Sequence, residues 1–259
     1  MSAARAGVLV VLTMAQLAFP HTLTAQTAAS PGAPPRVLNI VRVKVKPKVA
    51  GAYNALEGQI VRAYDRAKTP IYWICLQGPR DASDVLYLNL HDSVDAAERM
   101  TAAYRDMIKL HPELTALQQR LTDLTASTTS TLTARRDDVD RALAGVDFAT
   151  MRGLRLTVFQ VKPGREGDFL KAIRTTSTKE GSWLVYEATD SSTYALMTLR
   201  RAGAKRRDNT SVPRALRRFA AVYTKTETRT YDVRPAMSHV SQAFVAANPQ
   251  LWRLATASH

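Results

Sequence analysis

Three polar side chains sit close together in one alternating segment, Leu86-Tyr87-Leu88-Asn89-Leu90-His91. Imidazole titrates nearest neutrality, so His91 is the leading single candidate for moving a proton. The competing reading makes His91 a residue that merely precedes a helix cap, because Asp92 and Ser93 follow it and both are strong capping types. His111 stands before Pro112 as a solvated helix residue. His239 follows Ser238, yet no Gly-x-Ser-x-Gly elbow occurs and no acid in the sequence is placed to orient the pair. The chain has 5 His and 1 Cys, with no His-Glu-x-x-His and no glycine-rich phosphate loop after a strand, so neither metal nor cofactor is expected. Cys75 lies in the apolar run Ile71-Tyr72-Trp73-Ile74-Cys75-Leu76, which reads as a buried, unreactive thiol.

A second set of residues points to binding. If Leu86, Leu88 and Leu90 lie under helices, alternation turns Tyr87, Asn89 and His91 to the opposite sheet face. The same parity is expected to bring Arg42 and Lys44 there from the first strand, and Gln160, Thr198 and Arg200 from the second half of the chain. Trp73 and Trp183 would line the same space. Charge buried without partners costs several kcal/mol, so such an interior must hold water, an acid partner or an anionic ligand. The functional reading is a pocket for a small anionic or aromatic ligand. The alternative is that Arg42, Lys44 and Arg200 sit at an open rim and extend into water.

The elements that would position these groups follow from an internal similarity. Val45-Lys46-Pro47-Lys48-Val49-Ala50-Gly51-Ala52-Tyr53 recurs as Val161-Lys162-Pro163-Gly164-Arg165-Glu166-Gly167-Asp168-Phe169. Both copies end a β-patterned run and open a helical one, with the proline as the stop. Trp73 matches Trp183, and Leu86–His91 matches Ala195–Arg200, which sets Arg42 and Lys44 against Val158 and Gln160. Each copy reads strand, helix, strand, strand, helix, strand. The fold class expected is α+β, two tandem ferredoxin-like βαββαβ repeats packed sheet to sheet. The boundaries are 37–138 and 152–236, with a linker over 139–151 and a C-terminal helix and tail over 237–259. Pro112 is expected to bend or break the long helix of the first copy near His111.

Residues 1–25 have one base, a short apolar run and small residues at Leu23-Thr24-Ala25, the pattern of a secretory signal peptide, and 26–36 read as a flexible tether. A periplasmic or secreted protein is expected, without a membrane span once the signal is removed. The net charge is +14, and part of the excess falls between Arg200 and Arg218. That stretch lacks interleaved aromatics, so nucleic acid is not an expected partner.

Residues 36–252 resemble the dimeric α/β-barrel superfamily of duplicated ferredoxin-like proteins. The Val161–Phe169 segment looks like the strand-to-helix entry of the NIPSNAP and antibiotic-biosynthesis-monooxygenase-like families. Pro235–Ser241 together with Asn248–Trp252 is similar to the end of a group of uncharacterised exported bacterial proteins. The resemblance implies either a monomer with an internal pseudo-dimer or a homodimer. It leaves two functions open: a small-molecule-binding or interaction module of the cell envelope, and a cofactor-independent oxygenase or isomerase in which, as the resemblance implies, His91 or Tyr87 moves a proton and Asn89 holds an oxyanion.

Overall fold

A computed structural model describes residues 32–140, 146–176, 182–189, 192–203, 214–217 and 219–252. The expected signal peptide, most of the tether and much of the basic stretch lie outside the described residues.

The first strand, β1 (Val37–Val45), ends at a tight turn into α1 (Ala50–Arg66). That turn needs a left-handed backbone: Lys48 has φ 68°, and Gly164 has φ 77° at the matching place in the second half. A short β2 (Ile74–Gln77) and β3 (Asp84–His91) form a hairpin. At its turn, Asp81 Oδ1 accepts from the Ser83 amide at 3.0 Å. Ser93 caps α2 (Val94–Leu110), its hydroxyl accepting from the Ala96 amide at 3.1 Å. The chain breaks at His111 as the sequence predicts, and α3 (Pro112–Asp123) starts with its proline in the first turn. A threonine-rich β4 (Thr125–Arg135) follows. The second half runs β5 (Gly153–Val161), α4 (Glu166–Thr175), β6 (Leu184–Ala188), β7 (Thr193–Arg200), α5 (Arg214–Arg217) and β8 (Tyr223–Val233). Two short helices, α6 (Gln242–Ala247) and α7 (Pro249–Trp252), end the described chain.

All strand neighbours are antiparallel, and the order β1-β3-β2-β8-β5-β7-β6-β4 closes on itself. The strands form one closed eight-stranded barrel, in which the two four-stranded sheets join edge to edge as well as facing each other. The seams pair Leu76 with Val233 and Gln77 with Asp232, and Thr133–Arg135 with Ala188–Tyr186. Two open four-stranded sheets would leave four edges of unpaired backbone groups, and closure removes them. Residues 37–135 and 153–233 share one strand order and register. Cys75 pairs with Tyr87 as Val185 pairs with Leu196, and Tyr87 pairs with Val41 as Leu196 pairs with Thr157.

One barrel end is apolar and sealed. Leu38, Ile74, Leu88, Leu154, Leu184 and Met197 fill it from the strands. Phe148 and Met151, from the segment joining the halves, pack in the same cluster as Phe244, Leu251 and Trp252. The Trp252 indole N–H donates to the Ala149 carbonyl at 2.9 Å, tying the C-terminal segment to that plug. Outside the barrel, α1 lays Tyr53, Leu56, Ile60 and Tyr64 against Val43, Cys75 and Val85, and α4 lays Phe169 and Ile173 against Phe159, Val185 and Leu196. Among the described residues no helix is long and apolar enough to cross a membrane.

Candidate functional site

The other barrel end is polar and reached by solvent. Register places Arg42 beside Leu86 and Thr129, and Lys44 beside Asp84 and Ser127. From the second half Gln160 pairs with Lys225 and Val158 with Glu227. Ser127, Thr129, Gln160 and Lys225 are exposed although their strand parity turns them into the lumen.

Arg42 is fully engaged there. Its Nε and Nη2 donate to Asp84 at 3.0 and 3.2 Å, and its Nη1 and Nη2 donate to Glu227 across the lumen at 2.9 and 3.0 Å. Arg229 Nε donates to Glu227 at 2.7 Å, and Lys44 Nζ donates to Asp81 at 3.0 Å while lying 3.7 Å from Asp84. The Tyr231 hydroxyl meets Asp84 at 3.4 Å. These bonds raise the Arg42 pKa further and hold the Glu227 carboxyl down to about 2. The acid partner that a half-buried Arg42 requires is thus supplied by Asp84 and Glu227. Neither was anticipated, although Asp84 shares the alternation of Leu86 and Leu88.

Of the ten sequence candidates only Arg42, Lys44 and Gln160 reach the mouth. Leu86 and Leu88 fill the lumen, so Tyr87, Asn89 and His91 face outward, opposite to the expected side. The physical reason is that β3 is covered on both faces, by barrel interior and by helices, so alternation separates two faces without saying which is which. Asn89 Nδ2 donates to the Tyr72 carbonyl at 3.2 Å. His91 is buried, and desolvation pushes its pKa down, against a weaker upward pull from Asp92. The Trp73 indole N–H donates to the Met237 carbonyl at 2.8 Å and Trp183 lies in the outer core of the second half. Thr198 pairs with Arg155, and Arg200 donates to Asp232 at 2.5 Å and to the Arg152 carbonyl at 3.0 Å.

Beneath α1 the structure assembles a second polar group. Glu57, 3% exposed, accepts from the Tyr87 hydroxyl at 2.5 Å, and the Tyr53 hydroxyl lies 2.7 Å from that of Tyr87. Cys75 is the cross-strand partner of Tyr87 in the same layer. Desolvation raises Glu57 to about 7 against the lowering effect of the two tyrosines, and raises both phenols and the Cys75 thiol as well. Sequence carried a signal for Glu57 that went unused: a carboxylate set into the apolar stripe Tyr53, Leu56, Ile60, Tyr64 of a helix.

His239 is buried as well. Its Nδ1 faces the Ile71 carbonyl at 2.5 Å, its Nε2 lies 3.1 Å from Asp65 Oδ1, and its ring stacks on Tyr72 at 5.2 Å between centroids. Ser238 is turned elsewhere, its hydroxyl accepting from the Cys75 amide at 2.9 Å. An acid does therefore meet His239, but Ser238 does not join them as a nucleophile. A groove of about 460 Å³ runs between α1 and α3, with Ala52, Ala55 and Leu56 as its floor and Gln59, Arg120 and Asp123 in its lining. Among the described residues no cluster of His, Cys, Asp and Glu is arranged to hold a metal ion.

No family model matches the chain, and no curated protein matches it in sequence. Among solved structures, several are similar to the chain in shape, and the likeness to the first of these, with a TM-score above 0.5, is one of fold. An anthrone oxidase-like protein is 15% identical with a TM-score of 0.51, over 82% of this chain and 97% of that one. A protein from Lactobacillus acidophilus with a provisional monooxygenase name is 10% identical with a TM-score of 0.45, over 79% and 94% of the two chains. One from Fusobacterium nucleatum with the same provisional name is 15% identical with a TM-score of 0.46, over 79% and 93%.

Proposed function

We propose that this chain is an exported small-molecule-binding protein of the cell envelope, and that an anionic ligand enters at the open mouth of its barrel. The observation that carries the reading is a charge imbalance in a solvent-reached space. Arg42, Lys44, Lys225 and Arg229 face Asp81, Asp84 and Glu227, so cations outnumber carboxylates by one. Arg42 is neutralised by two acids and acts as scaffold, which leaves Lys225 and the outer nitrogens of Arg229 to meet the ligand beside the Ser127 and Thr129 hydroxyls. The signal-peptide pattern of residues 1–25 supports export. The shared strand order supports reading 37–138 and 152–236 as two ferredoxin-like units joined in one chain.

A thermal-shift screen of benzoate, citrate and phosphate tests the mouth. At low salt one or more of these anions should raise the melting temperature, and Lys225→Ala with Arg229→Ala should remove the shift. A shift that survives this double substitution would overturn the assignment. The second reading, cofactor-independent oxygenase or isomerase chemistry, has its support in the buried carboxylate of α1.

A further inference from the structure

We infer that Glu57, Tyr87 and Tyr53 form a proton-transfer site, and that it acts on an uncharged carbonyl compound bound in the groove between α1 and α3. This goes beyond binding at the barrel mouth and does not rest on it.

The first support is an internal control. Shared register makes Phe169 the counterpart of Tyr53, Ile173 of Glu57, Val185 of Cys75 and Leu196 of Tyr87. All four counterparts are buried and belong to one apolar cluster. At these four positions the second half carries no polar side chain, and the hydroxyl nearest them, that of Tyr194 in the same cluster, donates at 2.7 Å to Glu187 on the neighbouring strand. The first half keeps a carboxyl and two hydroxyls where packing does not require them.

The second support is that no cation balances Glu57. Among the described residues no ion pair reaches it, and its partners are phenols. A carboxyl buried in this way sits close to half-protonated at neutral pH, so it both takes and gives a proton there. Arg42, by contrast, is locked by its salt bridges and titrates nowhere useful.

The third support is space. A volume of about 460 Å³ lies in the usual range for small-ligand sites. Leu56 belongs both to the groove lining and to the apolar layer around Tyr53. In this reading Leu56 is the side chain that moves to admit substrate to Tyr53. The groove lining carries one cation, Arg120, and one acid, Asp123, so its charges balance and an uncharged substrate fits it.

The step balances without an oxidant. A C–H bond next to the substrate carbonyl breaks and its proton enters at Tyr53. Tyr53 passes its own proton to Tyr87, and Tyr87 passes its own to the Glu57 carboxylate, leaving an enolate. Return of a proton to the oxygen or to another carbon gives the isomerised product and restores the relay.

Proton NMR of acetylacetone and 1-indanone with the full chain in D2O tests this. The protein should speed exchange of the protons beside the carbonyl in at least one probe. Glu57→Gln and Tyr87→Phe should each slow that exchange at least tenfold while keeping a cooperative thermal transition, and Leu56→Ala should accelerate it. An infrared pH titration provides a second readout: a carboxylic acid band that fades as pH rises through neutrality should be missing in Glu57→Gln. Exchange no faster than in buffer for both probes, exchange undiminished in Glu57→Gln, or no such band in the unaltered protein would each overturn the proposal. The anion-induced thermal shift is a separate readout, so the mouth and the relay can fail independently.

Discussion

Glu57 and Arg42 are two ways of keeping a titratable group inside a folded chain, and they predict different responses. Glu57 is shifted from 4.5 to about 7 by burial, so the folded state holds its proton more tightly than the unfolded state does. Its contribution to stability is present below pH 4.5 and is lost as pH rises through about 7, a change of about 3 kcal/mol. Denaturant midpoints measured at pH 5 and pH 8 should show this fall, and Glu57→Gln should flatten it. Arg42 behaves oppositely: it is a cation held by two carboxylates, and its pKa is raised further. Arg42→Met removes two hydrogen bonds from Asp84, whose side chain is 3% exposed, leaving Lys44 at 3.7 Å and Arg229 at 3.8 Å, and should cost about 1–3 kcal/mol. Replacing Asp84 and Glu227 by leucine in the same variant should recover much of that loss, which urea unfolding of the two variants would show.

At the scale of elements, the turn between β1 and α1 gives the simplest test. Lys48 adopts a left-handed backbone that glycine adopts at position 164, and a side chain there carries a cost of about 1 kcal/mol. Lys48→Gly should raise the thermal midpoint, whereas Gly164→Lys should lower it. The repeat of Lys-Pro before both turns made these strand ends readable from sequence, and Pro112 made the helix break readable. Reading β3 failed at one binary choice. Tyr87 and Leu86 were separated correctly onto opposite faces, but the leucines went to the lumen and the tyrosine to the helix layer. A strand buried on one side would have announced its orientation through a solvated face, and β3 has none. Glu57 was missed for a related reason. A glutamate next to Leu56 on a helix looks like ordinary surface chemistry until the position of the sheet is known.

For the whole molecule, closure of the ring is the governing fact. The β2–β8 seam rests on two residue pairs and the β4–β6 seam on three, while strand pairs within each half are mostly longer. A fragment of residues 32–140 would carry β2 and β4 as bare edges. It should associate with a second copy of itself and elute as a dimer in gel filtration. A stable, monomeric fragment would mean that the seams do not drive closure. Trp252→Ala tests the sealed end: it removes the indole that bonds Ala149 within the plug and should cost about 3–5 kcal/mol by urea unfolding.

The apolar quartet of the second half has a bearing on how such a chain can change over generations. In a protein that pairs with its own copy, every mutation is written twice, and a buried acid in one subunit is inherited by the other whether or not it is useful there. Covalent joining separates the two addresses. One half can then drift toward greasy packing at Phe169, Ile173, Val185 and Leu196, while its neighbour retains Glu57 as a single-dose variation that no symmetric dimer could encode.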